Sequence, residues 1–376
     1  MSDTTRATPC HPRTAAANRL NAWTTRNGVT LPATYGDVNE EIITARSRVV
    51  VTDLGARWQV TLEGPRVVEY LQRFVTRDVA RLAPGGATRS LWLADGGGVR
   101  GAAVIARFGR ESFWLVSAAR DDVWLSRAAQ LYDVKVRDIS AERAGLAVIG
   151  PYARATVEAM GLQVNLEALS FRRFTWRTSD VVVSRFGEHG GYEIWCTEAD
   201  ATLVWDRILR AGATFGLIPV GTAAMDTLDL EAGIPRPFLD YVPATAGDAR
   251  EPCPEDYGML SLIDKELTTF NGQAKRTRDN VAPSWRLMGI EIESQCPAPH
   301  TPLSLSGQIV GRTLSSLYSP SLRRAIALAQ ISPSAATAGA RLSLMLPPSL
   351  DAPELRMVEA RIVDLPFLAQ PDSITP

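Results

Sequence analysis

The sequence predicts an α+β fold, in which antiparallel hairpins and helices sit side by side rather than alternating through a doubly wound parallel sheet. Three observations carry that prediction. Strand patterns joined by short glycine-rich turns recur beside amphipathic helical stretches, and a second unit starting near Ala144 repeats the style of the first. From about Trp285 onward the texture changes to short strands punctuated by proline and glycine, as expected of a small terminal barrel or sandwich. At 376 residues and 45% hydrophobic content, the chain is long enough for two or three domains and apolar enough to fill their cores.

Each element follows in order. The opening "MSDTTRATPCHPRTA" has no period that would bury a face, so it reads as a loose arm. "ARSRVVVTDLGARWQVTLEG" reads as two strands around a turn at Gly55, and "PRVVEYLQRFVTRDVARL" as a helix with Pro65 in its first turn. Strands return in "ATRSLWLADGGGVRGAAVIARF" and "SFWLVSAA", followed by the helical "DDVWLSRAAQLY". The second unit runs strand then helix in "AGLAVIGPYARATVEAMGL", hairpin in "DVVVSRFGEHGGYEIWC", and amphipathic helix in "EADATLVWDRILRAGA". "TRDNVAPS", residues 277–284, reads as a linker, which divides the chain into a first region over 1–280 and a terminal domain over 281–376. Beyond it come the strands "RLMGIEI", "GQIVGRTLSSLYS", "RAIALAQI", "ARLSLML" and "LRMVEARIVD".

Forty basic residues against forty-one acidic ones leave a formal charge of −1, which gives no footprint for nucleic acid or an anionic membrane. The start of the chain lacks an apolar core of signal-peptide length, and nothing later stays apolar for the roughly 20 residues a span needs. The expectation is a soluble, cytoplasmic protein. Four cysteines far apart in sequence (Cys10, Cys196, Cys253, Cys296) and three histidines suggest neither a disulfide framework nor a metal site.

No self-sufficient catalytic motif stands out. Gly96 to Gly98 lack the lysine of a phosphate loop and the order of a dinucleotide fingerprint, so they read as a hairpin turn. His189 beside two glycines reads as a turn residue. "GGYEIWC" is less ordinary, because Glu193 interrupts a run fit for a buried strand, and a buried carboxylate is costly unless something hydrogen-bonds to it. Alternation alone would send Glu193 to solvent.

Four phrases in order, "LEGPRVVEYLQRFVTRDVARLAPG", "GGYEIWC", "GLIPVGTAAMDTLDLEAGIPR" and "VGRTLSSLYSPSLRRAIALAQI", resemble the T-protein of the glycine cleavage system and its folate-binding relatives. The resemblance runs from about Leu20 to Leu368. It implies a three-domain cloverleaf with tetrahydrofolate in a central channel and a C-terminal β barrel. It also gives Glu193 the task of holding the pterin, whose adjacent N–H and amino group a carboxylate accepts in parallel. Phe186, Leu115 and Met225 are the further folate-contacting positions it implies. Departures accompany the likeness: Gly101 and Ala102 stand where T-proteins carry an aspartate near the reactive folate nitrogen. Met225 stands for an arginine, Phe186 for a tyrosine and Arg57 for a methionine.

"IPRPFLDYVPATAGDAREPCP" is longer than its T-protein counterpart, and brings Arg236, Phe238, Asp240 and Tyr241 together either as a surface excursion or as a specificity loop. The expected function is a tetrahydrofolate-dependent transferase moving a methyl group from a small methylated donor to N5. Tyr241, Arg57 and Arg100 are candidates to stabilise the leaving atom, with Asp240 orienting them. Aminomethyl or methylene transfer on a different amine carrier is the alternative. A folate-binding protein without turnover ranks last, because "TTFNGQAKR" lacks the cysteine of such relatives. The partner expected is a small-molecule donor, with no nucleic acid, membrane or metal.

Overall fold

The first departure from the sequence reading lies at the start of the chain. In the computed structural model, which describes residues 5–176, 179–244, 251–273, 283–347 and 354–369, the opening segment is built into the fold. Strand β1 (Arg6–Ala7) pairs with β3 (Val29–Pro32), β2 (Trp23–Arg26) lies on the other side of β3, and helix α1 (His11–Ala17) connects them. The supposed loose arm is held by contacts that leave no periodicity to read. Cys10 is fully buried, Thr8 Oγ1 donates to Asp53 Oδ2 at 2.6 Å, and Arg13 pairs with Asp206 at 2.7 Å.

Two larger sheets follow. The first has five strands in the order β6–β7–β8–β5–β9, with β5 (Trp58–Glu63), β6 (Ala87–Leu93), β7 (Val99–Arg107), β8 (Ser112–Ser117) and β9 (Lys135–Asp138). Helix α3 (Val67–Phe74) covers one face with Val67, Tyr70, Leu71 and Phe74, joined by α4 (Asp122–Ala129). Full burial of such side chains stabilises by about 1.5–3 kcal/mol each. The glycine run at 96–98 is the β6–β7 hairpin turn, as read.

The second sheet has six strands in the order β11–β12–β13–β10–β4–β14. They are β4 (Val50–Asp53), β10 (Arg143–Ile149), β11 (Phe171–Trp176), β12 (Ser179–Ser184), β13 (Tyr192–Thr197) and β14 (Ile218–Pro219). Helices α5 (Ala153–Ala159) and α6 (Ala201–Gly212) pack on one face, whereas α2 (Val38–Ser47) and α7 (Thr222–Glu231) pack near β4. The two strands around a turn at Gly55 are present as β4 and β5, but they do not pair with each other. β4 pairs with β10 and β14, and β5 with β8 and β9, so the chain changes sheets between them. Two adjacent apolar strands look alike in sequence whether they pair with each other or with strands elsewhere.

The C-terminal strands close into a barrel in the order β15–β18–β17–β16–β19–β20, from β15 (Arg286–Ile292), β16 (Pro302–Leu305), β17 (Gln308–Ser319), β18 (Arg324–Ile331), β19 (Arg341–Leu346) and β20 (Arg356–Val363). Every barrel strand except β16 was named from the sequence. Six residues of the expected linker, 277–282, lie outside the described residues. Among those described, no helix is long and apolar enough to cross a membrane.

Candidate active site

The faces of the two larger sheets meet through Trp114, Val116, Phe171, Val182, Phe186 and Trp195, with the indoles of Trp114 and Trp195 edge to face at 5.0 Å. Where this seam opens toward α7 and the 234–241 segment, it leaves an open-mouthed cavity. One wall is apolar: Ala102, Ala103 and Val104 on β7, and Val116 on β8. Ile234, Pro235 and Pro237 face them. The charged lining residues are Arg57, Arg89, Glu188, Asp229 and Arg236.

Most of those charges are neutralised within the wall. Arg89 Nη1 lies 2.5 Å from Glu188 Oε2, and its Nη2 donates to the Phe186 carbonyl at 2.8 Å. Arg236 donates from Nε to Asp240 Oδ2 at 2.8 Å, and Asp240 also accepts from Ser315 of the barrel. Arg57, on the crossing between β4 and β5, is exposed and makes no ion pair among the described residues. Asp229 on α7 lies 2.6 Å from His189 Nε2, which comes from the β12–β13 connection. Gly190 and Gly191 follow it at φ +69° and +73°. A β-carbon on Gly191 would come within 2.2 Å of the Val148 carbonyl, so the pair of glycines is what lets His189 lie against α7.

Glu193, on β13, is buried to 8% exposure, which removes the solvent-facing alternative. Trp195 Nε1 donates to Ser184 Oγ, and that hydroxyl donates to Glu193 Oε2, each at 3.2 Å. Oε1 accepts no hydrogen bond from the described residues. Burial pushes the Glu193 carboxyl above its ordinary range, opposed by the charge of Arg57, the Ser184 hydrogen bond and the charge of Arg89. Glu193 does not itself line the cavity described above, whereas Arg57 and Arg89, whose charges act on it, do; a half-satisfied buried carboxylate there fits a ligand that brings paired N–H donors.

The other sequence-predicted positions separate. Tyr241 lines the cavity, and burial raises its phenol further above its ordinary value. Asp240 is buried behind it in its pair with Arg236. Arg100 is locked away from the cavity in a bidentate pair with Asp121, at 2.7 and 2.8 Å, with its guanidinium 4.3 Å above Trp124. Phe186 is buried in the seam, 3% exposed, and presents its carbonyl to Arg89. Leu115 alternates with Val116 on β8, so when Val116 faces the cavity Leu115 faces the opposite core among Val60, Phe74 and Trp92. Met225, on α7, is partly buried against the core cluster that α2, β4 and α7 share. Leu115 and Met225 therefore lie in cores, not on the cavity wall. The 234–241 segment is a tight turn whose Arg236, Pro237 and Tyr241 line the cavity, with only Phe238 and Leu239 turned outward.

The family model "GCVT N-terminal domain" matches residues 14–245, and that of the "Glycine cleavage T-protein C-terminal barrel domain" matches 286–368. The chain belongs to the glycine cleavage T-protein family. That family comprises folate-dependent one-carbon transferases of the aminomethyltransferase type. An aminomethyltransferase of Bacillus mycoides is 31% identical over 319 residues, covering 81% of this chain and 84% of the relative. One from Geobacillus kaustophilus is 29% identical over 355 residues, covering 90% and 93%. In structure, the glycine cleavage system aminomethyltransferase T from Bartonella henselae superposes with a TM-score of 0.85 over 97% of this chain and 99% of that one, at 22% identity. Against this T-protein frame, one cavity group stands out that is not among the sequence-predicted site residues, Asp229, together with His189, which lies outside the cavity lining and contacts Asp229. The spacing of Asp226 and Asp229 in "AAMDTLDLEAG" was the available signal, since it puts two carboxylates on one helix face.

Proposed function

We propose that this T-protein relative is a tetrahydrofolate-dependent transferase that moves a methyl group from a small methylated donor, such as a methoxylated compound, to N5. One observation carries the reading: β7 presents Ala102 to the cavity, so this side offers no acid or base, while the buried Glu193 carboxylate lies within the field of the cavity arginines Arg57 and Arg89, an arrangement that suits a pterin edge. Tetrahydrofolate, when bound, supplies the nucleophilic nitrogen that accepts the carbon. Glu193 would hold the ring edge, and the Ala102–Val104 strip would exclude water from the transfer path. Positioning of this kind contributes several kcal/mol without covalent catalysis. Tyr241, a buried residue of the cavity lining, would hydrogen-bond the departing heteroatom, and Arg57 would stabilise its charge.

The test is incubation of the protein with tetrahydrofolate and a panel of methoxylated aromatics, with 5-methyltetrahydrofolate as the readout. The aminomethyltransferases among its relatives favour a second reading, one-carbon transfer from an amine carrier. Release of ammonia and methylenetetrahydrofolate from aminomethylated lipoyl carrier, with no product from the methoxylated panel, would establish that second reading instead.

A further inference from the structure

We propose that Asp229, oriented by His189, is the catalytic base of this cavity. It takes the proton that the acceptor nitrogen sheds as it gains the transferred carbon. The inference rests on the transferase reading above, and it begins with the balance of charge around the cavity. Glu188 is neutralised by Arg89, and Asp240 by Arg236. Asp226, one helical turn before Asp229, is paired with Arg26. Asp229 has no guanidinium within 4.0 Å among the described residues; its one close partner is His189 Nε2.

The state of that imidazole follows from its two nitrogens. An ionised carboxylate only accepts, so Nε2 carries the hydrogen between them. Nδ1 is buried with no hydrogen-bond partner among the described residues. Burial works to raise the Asp229 carboxyl, but the hydrogen bond and charge of His189 and the neighbouring Arg57 and Arg236 outweigh it and hold the group below its ordinary range. Asp229 is thus ionised at neutral pH. Its second oxygen, Oδ2, accepts no hydrogen bond from the described residues, and a quarter of the side chain (24%) remains exposed.

The proton has a defined route. The donor's methyl–heteroatom bond breaks with its electron pair going to the heteroatom, and the carbon bonds to the acceptor nitrogen. Asp229 Oδ2 receives the proton leaving that nitrogen and passes it to the departing heteroatom, so that N–H plus CH3–X becomes N–CH3 plus H–X. A weak base is sufficient, because an amine N–H becomes acidic as its nitrogen gains carbon. His189 does not touch the reactants; it is a positioning residue that fixes the carboxylate and keeps it ionised.

A binding measurement tests this without requiring the natural donor. An open Oδ2 accepts the N5–H of tetrahydrofolate but finds no donor on 5-methyltetrahydrofolate. The parent protein should therefore bind tetrahydrofolate about tenfold or more tighter than the methylated form, as expected for a charge-assisted hydrogen bond. In Asp229→Asn that preference should fall to about one, with the melting temperature retained. His189→Gln keeps an N–H donor and should retain most of the preference, whereas His189→Leu should lose it. With only three histidines in the chain, the Nε2–H resonance of His189 is assignable by NMR and should move upfield in Asp229→Asn. An unchanged preference in a folded Asp229→Asn protein overturns the base assignment alone. A parent that binds neither folate overturns the transferase reading and this inference with it.

Discussion

The indole of Trp92 fills the space that a side chain on Gly101 would need, with its Cζ2 2.2 Å from where a β-carbon would stand. Trp92 is fully buried, and its Nε1 donates to Asp121 at 2.9 Å, so the ring has no free direction in which to move. Gly101 and Ala102 together stand where T-proteins carry an aspartate. The pleat separates them, since Ala102 faces the cavity and Gly101 faces the core.

That separation predicts opposite outcomes for two substitutions. Gly101→Asp should destabilise by at least the roughly 1–3 kcal/mol typical of overpacking, with a further cost for a buried charge. Ala102→Asp should fold with near-parental stability and introduce methylene transfer from an amine carrier. Urea melts of both variants check the first part, and methylenetetrahydrofolate formation checks the second. A well-folded Gly101→Asp protein would refute the assignment of faces.

Glu193→Gln should weaken tetrahydrofolate binding at least about tenfold, because the amide sets an N–H against a pterin N–H in a dry pocket. Since burial raises the Glu193 carboxyl, folate affinity should fall on acidification earlier than an ordinary glutamate would dictate. Calorimetric titration across that range, alongside thermal melts, would show it. Equal affinities in parent and variant would remove the pterin role.

Glu193 illustrates what the sequence made legible. A carboxylate in an otherwise apolar strand is visible as an anomaly, and the alternation of the barrel strands is visible as a pattern, because both are local. His189 and Asp229 are 40 residues apart, and their pairing depends on how two glycines steer a connection against a distant helix. No local period encodes that. The same limit hid the docking of the first residues, where single contacts such as Thr8 to Asp53 do the work of a patterned face. It also hid the change of sheet between β4 and β5, because pairing partners are chosen by the whole fold.

Glu231 should prove the costliest carboxylate to remove. It is fully buried at the end of α7, where Oε2 accepts from Arg46 Nη2 of α2 at 2.5 Å and Oε1 accepts from Ser319 Oγ of the barrel at 2.6 Å. Glu231→Ala breaks the buried pair with Arg46 and removes the acceptor of Ser319, and should cost about 3–5 kcal/mol. The double variant Arg46→Met, Glu231→Leu should recover much of that loss. Denaturant unfolding of the three proteins measures the difference, and a single variant within about 0.5 kcal/mol of the parent would exclude this role.

Asp53 should make stability depend on pH in the direction opposite to most aspartates. Burial pushes its carboxyl from 3.8 up to about 6, despite hydrogen bonds donated by Thr8 and the Gly55 amide. The folded state therefore binds a proton more readily than the unfolded chain between about pH 4 and 6, so this group's contribution to stability rises as pH falls through that window. Above pH 6 the folded protein carries the cost of a buried charge. Asp53→Asn removes that cost, and at pH 7 it should stabilise by about 1–3 kcal/mol if the Thr8 and Gly55 contacts survive. At pH 5 the advantage should shrink, because the parent's Asp53 is then largely neutral in the folded state. Urea midpoints of parent and variant at both pH values decide the matter; an advantage that grows on acidification would mean that Asp53 is stabilised as an anion by Thr8, Gly55 and Arg6.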